Sequence, residues 1–145
     1  MKPLKIGPIR LKNPLFLAPM VDVTNLPYRI ICRKAGAAMA YTEMINTGAI
    51  IHPNKKTEQM MATSKEDKPS GIQITGPTIS DFKKVILTLK PFDIVDINCG
   101  CPSERIEDNR SGAYLLRTPL KIAAYIKILK DSGYTVTAKI RLGFK

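Results

Sequence analysis

The sequence predicts an α/β fold made of parallel βα repeats. Three observations carry this. Short apolar runs bounded by turn signals read as strands buried on both faces. Between them lie segments with apolar residues at helical spacing and recognisable caps. Strand then helix recurs four times and a fifth strand follows, which implies right-handed parallel crossovers. An open doubly wound sheet and a closed (β/α)8 barrel both use this pattern, and the barrel needs eight units and typically about 250 residues. With 145 residues, 44% of them hydrophobic, the chain is by count a small open sheet or half a barrel around one core.

The elements follow in order. Lys5 to Lys12, with Gly7-Pro8 between alternating flanks, reads as a hairpin ahead of the main fold. Leu15 to Ala18 is the first buried strand. Thr24 or Asn25 caps a helix with Pro27 in its first turn, where a missing N–H costs little, and Gly36 stops it. Ala38 to Glu43 is the second strand, and 47–64 reads as one or two helices broken at His52-Pro53. Lys65 to Lys68 reads as a solvated surface connection, followed by a third strand from Gly71 to Gly76. Ser80 caps a helix running to about Leu89, with Phe82, Val85, Ile86 and Leu89 on one face. Asp93 to Asn98 is the fourth strand. Thr118 and Pro119 open a helix that Gly133 closes, and Thr135 to Ile140 is the fifth strand.

Charge narrows the partners. The chain carries 23 Lys plus Arg against 12 Asp plus Glu, a net +11 with pI near 9.7, which points to a polyanion such as nucleic acid or an anionic membrane surface. No run of about 18 apolar residues suggests a membrane span. The first residues lack the apolar core of a signal peptide. Cys32, Cys99 and Cys101 are an odd number of cysteines, read as reduced thiols in a cytoplasmic protein. Together with the single His52 they do not make a closed zinc site, so no metal is expected.

The stretch with the most chemistry is Asp93 to Ala113. After the fourth strand come Asn98, Cys99, Gly100, Cys101 and Pro102. Gly100 allows the backbone to bend close to a flat ligand, and Pro102 ends the ladder. Cys101 is thereby expected on a stiff turn at the carboxyl edge of the sheet, where α/β proteins bind ligands.

This loop, with Ser111-Gly112-Ala113 after it, resembles the active-site loop of the tRNA-dihydrouridine synthases. Leu17 to Arg29 (LAPMVDVTNLPYR) resembles their first strand and helix, Thr42-Glu43-Met44 the second strand, Ile72 to Gly76 the third and Ala138 to Gly143 the fifth. The resemblance covers nearly the whole chain and the N-terminal half of the family's sequence. It implies that residues 1–145 are the N-terminal half of a TIM (β/α)8 barrel, a partial FMN-binding catalytic domain, without the C-terminal barrel half and helical RNA-binding domain. Val21-Asp22 and Cys99 depart from commoner residues, and His52 does not match the histidine that the family places over the flavin.

The implied activity is reduction of the uracil 5,6 double bond in tRNA, with FMN as cofactor and NADPH or NADH as reductant. Cys101 matches the general acid. A thiol with the ordinary pKa near 8.5 is mostly protonated at neutral pH and can donate a proton without tuning. Lys139 matches the flavin-contacting lysine, and its place between Ala138 and Ile140 predicts a charge made costly by burial unless it is paired. Gln73 and Asn98 would offer amides to the ligand, and Pro19, Met20 and Val21 would pack on the ring. Arg105, Arg110 and Arg141 are candidate RNA contacts, and Gly112 would allow close backbone approach to a phosphate. Two other readings fit the sequence: a dihydroorotate dehydrogenase-like FMN oxidoreductase, and a non-catalytic half-barrel that binds RNA or acts as a scaffold. Exposed sheet edges predict self-association or pairing with the missing half.

Overall fold

The structure, a computed structural model, describes residues 2–144. An antiparallel hairpin, β1 (Leu4–Ile6) and β2 (Ile9–Leu11), precedes five parallel strands: β3 (Phe16–Leu17), β4 (Met39–Asn46), β5 (Ser70–Thr75), β6 (Ile94–Asn98) and β7 (Thr135–Lys139). Their order in the sheet is β3-β4-β5-β6-β7, each strand beside its sequence neighbour. A doubly wound sheet reverses its strand order at a switch point, whereas a barrel never does. The uninterrupted order therefore decides the choice that pattern alone left open: this is half of a (β/α)8 barrel.

The helices are α1 (Leu26–Lys34), α2 (Thr47–Ile51), α3 (Lys55–Met60), α4 (Ile79–Val85), α5 (Glu104–Asp108) and α6 (Pro119–Asp131). The caps explain most of the starts. Asn25, Asn46, Asn54 and Thr78 each accept an N–H of the following turn through the side chain. The cap of α4 is thus Thr78, not Ser80. Thr78 stands three residues before Asp81, whose N–H its hydroxyl accepts at 3.1 Å. Thr118 precedes Pro119 as expected, but its hydroxyl donates back to the Leu115 carbonyl, so α6 starts without a side-chain cap.

Strand alternation sorts the side chains onto two faces. Val95, Ile97 and Cys99 face the helices, in one cluster with Ile72, Ile74, Phe82, Leu115 and Tyr125. Phe82 and Tyr125 stack at 4.0 Å between centroids and tie α4 to α6. Ile94, Met39 and Tyr41 face the barrel interior, where Leu11 of the hairpin covers them, with Ile6 and Ile9 packed alongside. The hairpin therefore closes the end of the half-barrel at which the strands begin. Gly71 sits where the Tyr41 ring crosses β5, and a Cβ there would overlap the ring.

Two features differ from the sequence reading. In β4 the register passes from Tyr41↔Gly71 to Met44↔Gln73, three residues opposite two. This bulge extends the strand to Asn46 and brings Met44 beside Gln73. The connection 65–68, expected to be solvated, forms a short 3-10 turn whose Asp67 is fully buried. Arg29, also fully buried, supplies the partner.

Candidate active site at the carboxyl ends of the strands

A cleft of about 240 Å³ opens at the carboxyl ends of β5, β6 and β7. Gln73, Asn98, Cys101 and Lys139 supply its polar wall, and Pro19, Val21 and Met44 its apolar wall. The residues come from all five parallel strands or the loops after them, and only folding joins them. Met20, Arg105, Arg110 and Arg141 do not line this cleft. Met20 instead closes a turn with Thr24, whose hydroxyl contacts both its N–H and its carbonyl at 3.1 Å.

Asn98 builds the cysteine turn. Its Oδ1 accepts the N–H of Gly100 at 3.2 Å and that of Cys101 at 2.9 Å. The turn is held from below by Ala113, whose N–H donates to the Cys101 carbonyl at 2.9 Å. Gly112 makes that approach possible. It has φ +60°, and a Cβ would lie 2.8 Å from the Cys101 carbonyl oxygen and 2.6 Å from Ile106 Cγ2. Gly112 thereby seats the cysteine turn. Gly112→Ala should cost about 1–3 kcal/mol through left-handed strain and overpacking. Chemical denaturation monitored by far-UV circular dichroism measures the difference.

The two cysteines of the loop have opposite settings. Cys101 is half-buried and lines the cleft. Cys99 is fully buried against the helices, and burial, with the nearby Asp96 charge second, pushes its thiol up to about 12. Cys99 is therefore an inert packing residue.

Below the cleft the sheet carries a polar network that sequence reading missed. Gln73 Nε2 donates to Asp96 Oδ2 at 2.7 Å, and Thr137 Oγ1 donates to Asp96 Oδ1 at 2.6 Å. Asn98 Nδ2 donates to Gln73 Oε1 at 2.9 Å. Burial raises the Asp96 carboxyl above its ordinary range, against the hydrogen bonds from Thr137 and Gln73 and the charge of Lys139. Asp96 and Asn98 stand two apart in an apolar strand, so they share a face. That spacing was the available signal for Asp96.

Lys139 also differs from expectation. It is exposed at the end of β7, and Ile140 beside it is 62% exposed. The sheet has no neighbour beyond β7 among the described residues. Among the described residues no carboxylate stands within ion-pair distance of Lys139. Its charge is available to a ligand in the cleft.

A second hollow of about 320 Å³ adjoins the first, shares Pro19 and Lys139 with it, and adds Phe16, Tyr41 and Asp96. The combined surface is mainly apolar, with a few convergent polar groups, as small-molecule sites are. It suits a flat group: apolar walls for the faces, and a polar wall with the Lys139 cation for the edge.

Comparison with known proteins shows the family. The family model described as dihydrouridine synthase (Dus) matches residues 16–145. The chain is 32% identical over 144 residues to tRNA-dihydrouridine synthase B of Pasteurella multocida, covering 97% of this chain and 43% of that protein. It is 32% identical over 148 residues to the protein of that name from Pseudomonas aeruginosa, covering 99% and 44%. Against the Vibrio vulnificus protein it is 33% identical, covering 97% and 45%. The chain thus spans under half the length of these curated relatives. Among solved structures, histamine dehydrogenase from Rhizobium sp. 4-9 superposes with a TM-score of 0.58 at 13% identity, covering 96% of this chain and 33% of that one. That likeness concerns the fold alone.

Proposed function

The chain belongs to the dihydrouridine synthase family, and from that premise we propose that it supplies the flavin- and uracil-facing half of an enzyme that reduces uridine in tRNA. The observation that carries this reading is the convergence of Gln73, Asn98, Cys101 and Lys139 on one cleft at the carboxyl ends of the strands. Barrel enzymes place their chemistry at that edge. The donor set and the flat apolar walls fit FMN.

Reduction of the 5,6 double bond adds a hydride at C6 and a proton at C5. Bound FMN, reduced by NADPH or NADH, is the hydride source. Cys101 holds the proton at Sγ and delivers it to C5 as general acid. Asn98 orients the turn that carries this thiol, and Gln73 offers an amide to the ligand's edge. Lys139 would hold the edge of the bound flavin that carries negative charge in its reduced form. Pro19, Met20 and Val21 belong to the loop beside the ring face, with Met20 acting through the turn it closes. The target base must leave its stack to reach the cleft, at a cost of a few kcal/mol. The +11 charge, with Arg105, Arg110 and Arg141, attracts the RNA that makes up this cost. Such a protein works in the cytoplasm, paired with the remaining barrel half or with a second chain.

The test is an absorbance scan of the purified chain before and after adding FMN, followed by a tRNA reduction assay with each nicotinamide cofactor. A protein-bound flavin spectrum and reductant consumption that depends on tRNA are expected. A folded, soluble chain that retains no flavin, even with the rest of the barrel supplied, would overturn the reading in favour of an RNA-binding half-barrel. Lys139→Met should weaken FMN binding about tenfold, since a charge-assisted contact is lost. Fluorescence titration of FMN measures this, and unchanged affinity would remove Lys139 from the cofactor site.

A further inference from the structure

We propose that Asp96 is the positioning residue of the cysteine turn, acting through Gln73 and Asn98. Fixed backbone donors set the direction of the network. The N–H groups of Gly100 and Cys101 both need an acceptor, so Asn98 must present Oδ1 to them. Its Nδ2 is then turned toward Gln73 and requires an oxygen, which Gln73 supplies as Oε1 at 2.9 Å. Gln73 must in turn direct Nε2 at position 96, where only an acceptor fits, and Asp96 Oδ2 stands there at 2.7 Å. A carboxylate only accepts, so it terminates the series and excludes the flipped state of both amides.

Burial raises the stakes. Gln73, Asp96 and Asn98 are 1%, 4% and 8% exposed, so water cannot readily replace a missing partner. With no acceptor at 96, the Gln73 amide is free to flip. Its Nε2 would then confront Asn98 Nδ2, and the Asn98 amide would turn its donors toward Gly100 and Cys101. The Thr137 hydroxyl fixes the other carboxylate oxygen at 2.6 Å, which couples the turn on β6 to β7, the strand that carries Lys139. Asp96 therefore sets both the donors facing the cleft and the place of the Cys101 thiol.

The inference takes the cleft as the reaction site proposed above. Its test uses the chain without flavin or RNA, so a failure of either idea shows separately. Amide hydrogen exchange is measured by NMR at Gly100 and Cys101, with Cys99, whose N–H donates to the Lys139 carbonyl at 2.9 Å, as the internal reference. Asp96→Ala should speed exchange at Gly100 and Cys101 about tenfold, the worth of one net hydrogen bond, and leave Cys99 unchanged. Asp96→Asn should restore slow exchange, because its Oδ1 accepts from Gln73 while its Nδ2 donates to the Thr137 hydroxyl. Wild-type exchange in Asp96→Ala, an equal rise at Cys99, or no rescue by Asp96→Asn would each overturn the proposal. If Asp96→Ala does not fold, Gln73→Met cuts the network one link later: the same selective rise supports the proposal, and unaltered exchange refutes it.

Discussion

On the proposed function, Cys101→Ala in the complete enzyme should lower uridine reduction by roughly 10²–10⁴-fold, the usual contribution of a positioned general acid, while flavin content stays at the wild-type level. The two halves of this expectation have separate causes. The thiol lines the cleft on a turn held by Asn98 and Ala113, and alanine keeps that backbone while removing the proton. Cys99 cannot substitute, because its thiol points into the helical core, fully buried and pushed up to about 12. On the proposed function the flavin is held by Gln73, Asn98, Lys139 and the apolar wall, all left in place. Single-turnover reduction of tRNA, with flavin content read by absorbance, separates chemistry from binding. Turnover at the wild-type rate would take the proton-donor role away from Cys101.

The parts of this molecule that could be read from sequence are those in which local pattern and global fold agree. β5 carries Ile72 and Ile74 and β6 carries Ile94, Val95 and Ile97 as apolar runs between turn signals, and α1 has a cap and a proline at its first turn. Six of the cleft's residues, Pro19, Val21, Gln73, Asn98, Cys101 and Lys139, were readable because each lies in or just after a strand that matches a family motif. What stayed hidden depends on pairing between distant segments. Asp67 lies in a run of charged residues, and nothing nearby reveals that Arg29, 38 residues earlier, buries it. Asp96 looks like an interruption in a strand until the register aligns it with Gln73 and Thr137. The bulge that turns Met44 into the cleft is set by pairing with β5, so the β4 sequence alone stops short of it. The apolar strand around Lys139 suggests burial, and among the described residues it is exposed, with β7 the last strand of the sheet. The helix α5 was missed because five residues are too few for a period to register.

Asp67→Ala should destabilise the fold by about 3–5 kcal/mol, the range for removing one partner of a buried ion pair. Both side chains are fully buried. Arg29 donates to Asp67 Oδ2 from Nε at 3.1 Å and from Nη2 at 2.8 Å, to the Thr24 carbonyl from Nη1 at 2.8 Å, and to the Ala62 carbonyl from Nη2 at 2.7 Å. Without the carboxylate, the guanidinium keeps two carbonyl partners but no counter-charge, and the Thr63 hydroxyl loses its acceptor at 3.2 Å. Replacing both partners, Arg29→Met with Asp67→Leu, should recover part of the loss, since apolar packing can replace a buried pair. The recovery stays incomplete because the Thr24 and Ala62 carbonyls then lack a donor. Urea denaturation of the two single variants and the double variant closes the cycle, and an Asp67→Ala midpoint equal to wild type would sink the prediction. The effect reaches the cleft as well. Arg29 anchors Thr24, Thr24 closes the turn on Met20, and Glu43 holds the N–H of Asp22, at φ +60°, at 2.6 Å. Val21, part of the cleft wall, is carried on that same turn. The pair beneath α1 thus acts on the site through the loop it fixes, and Asp67→Ala should weaken FMN binding in the protein that remains folded.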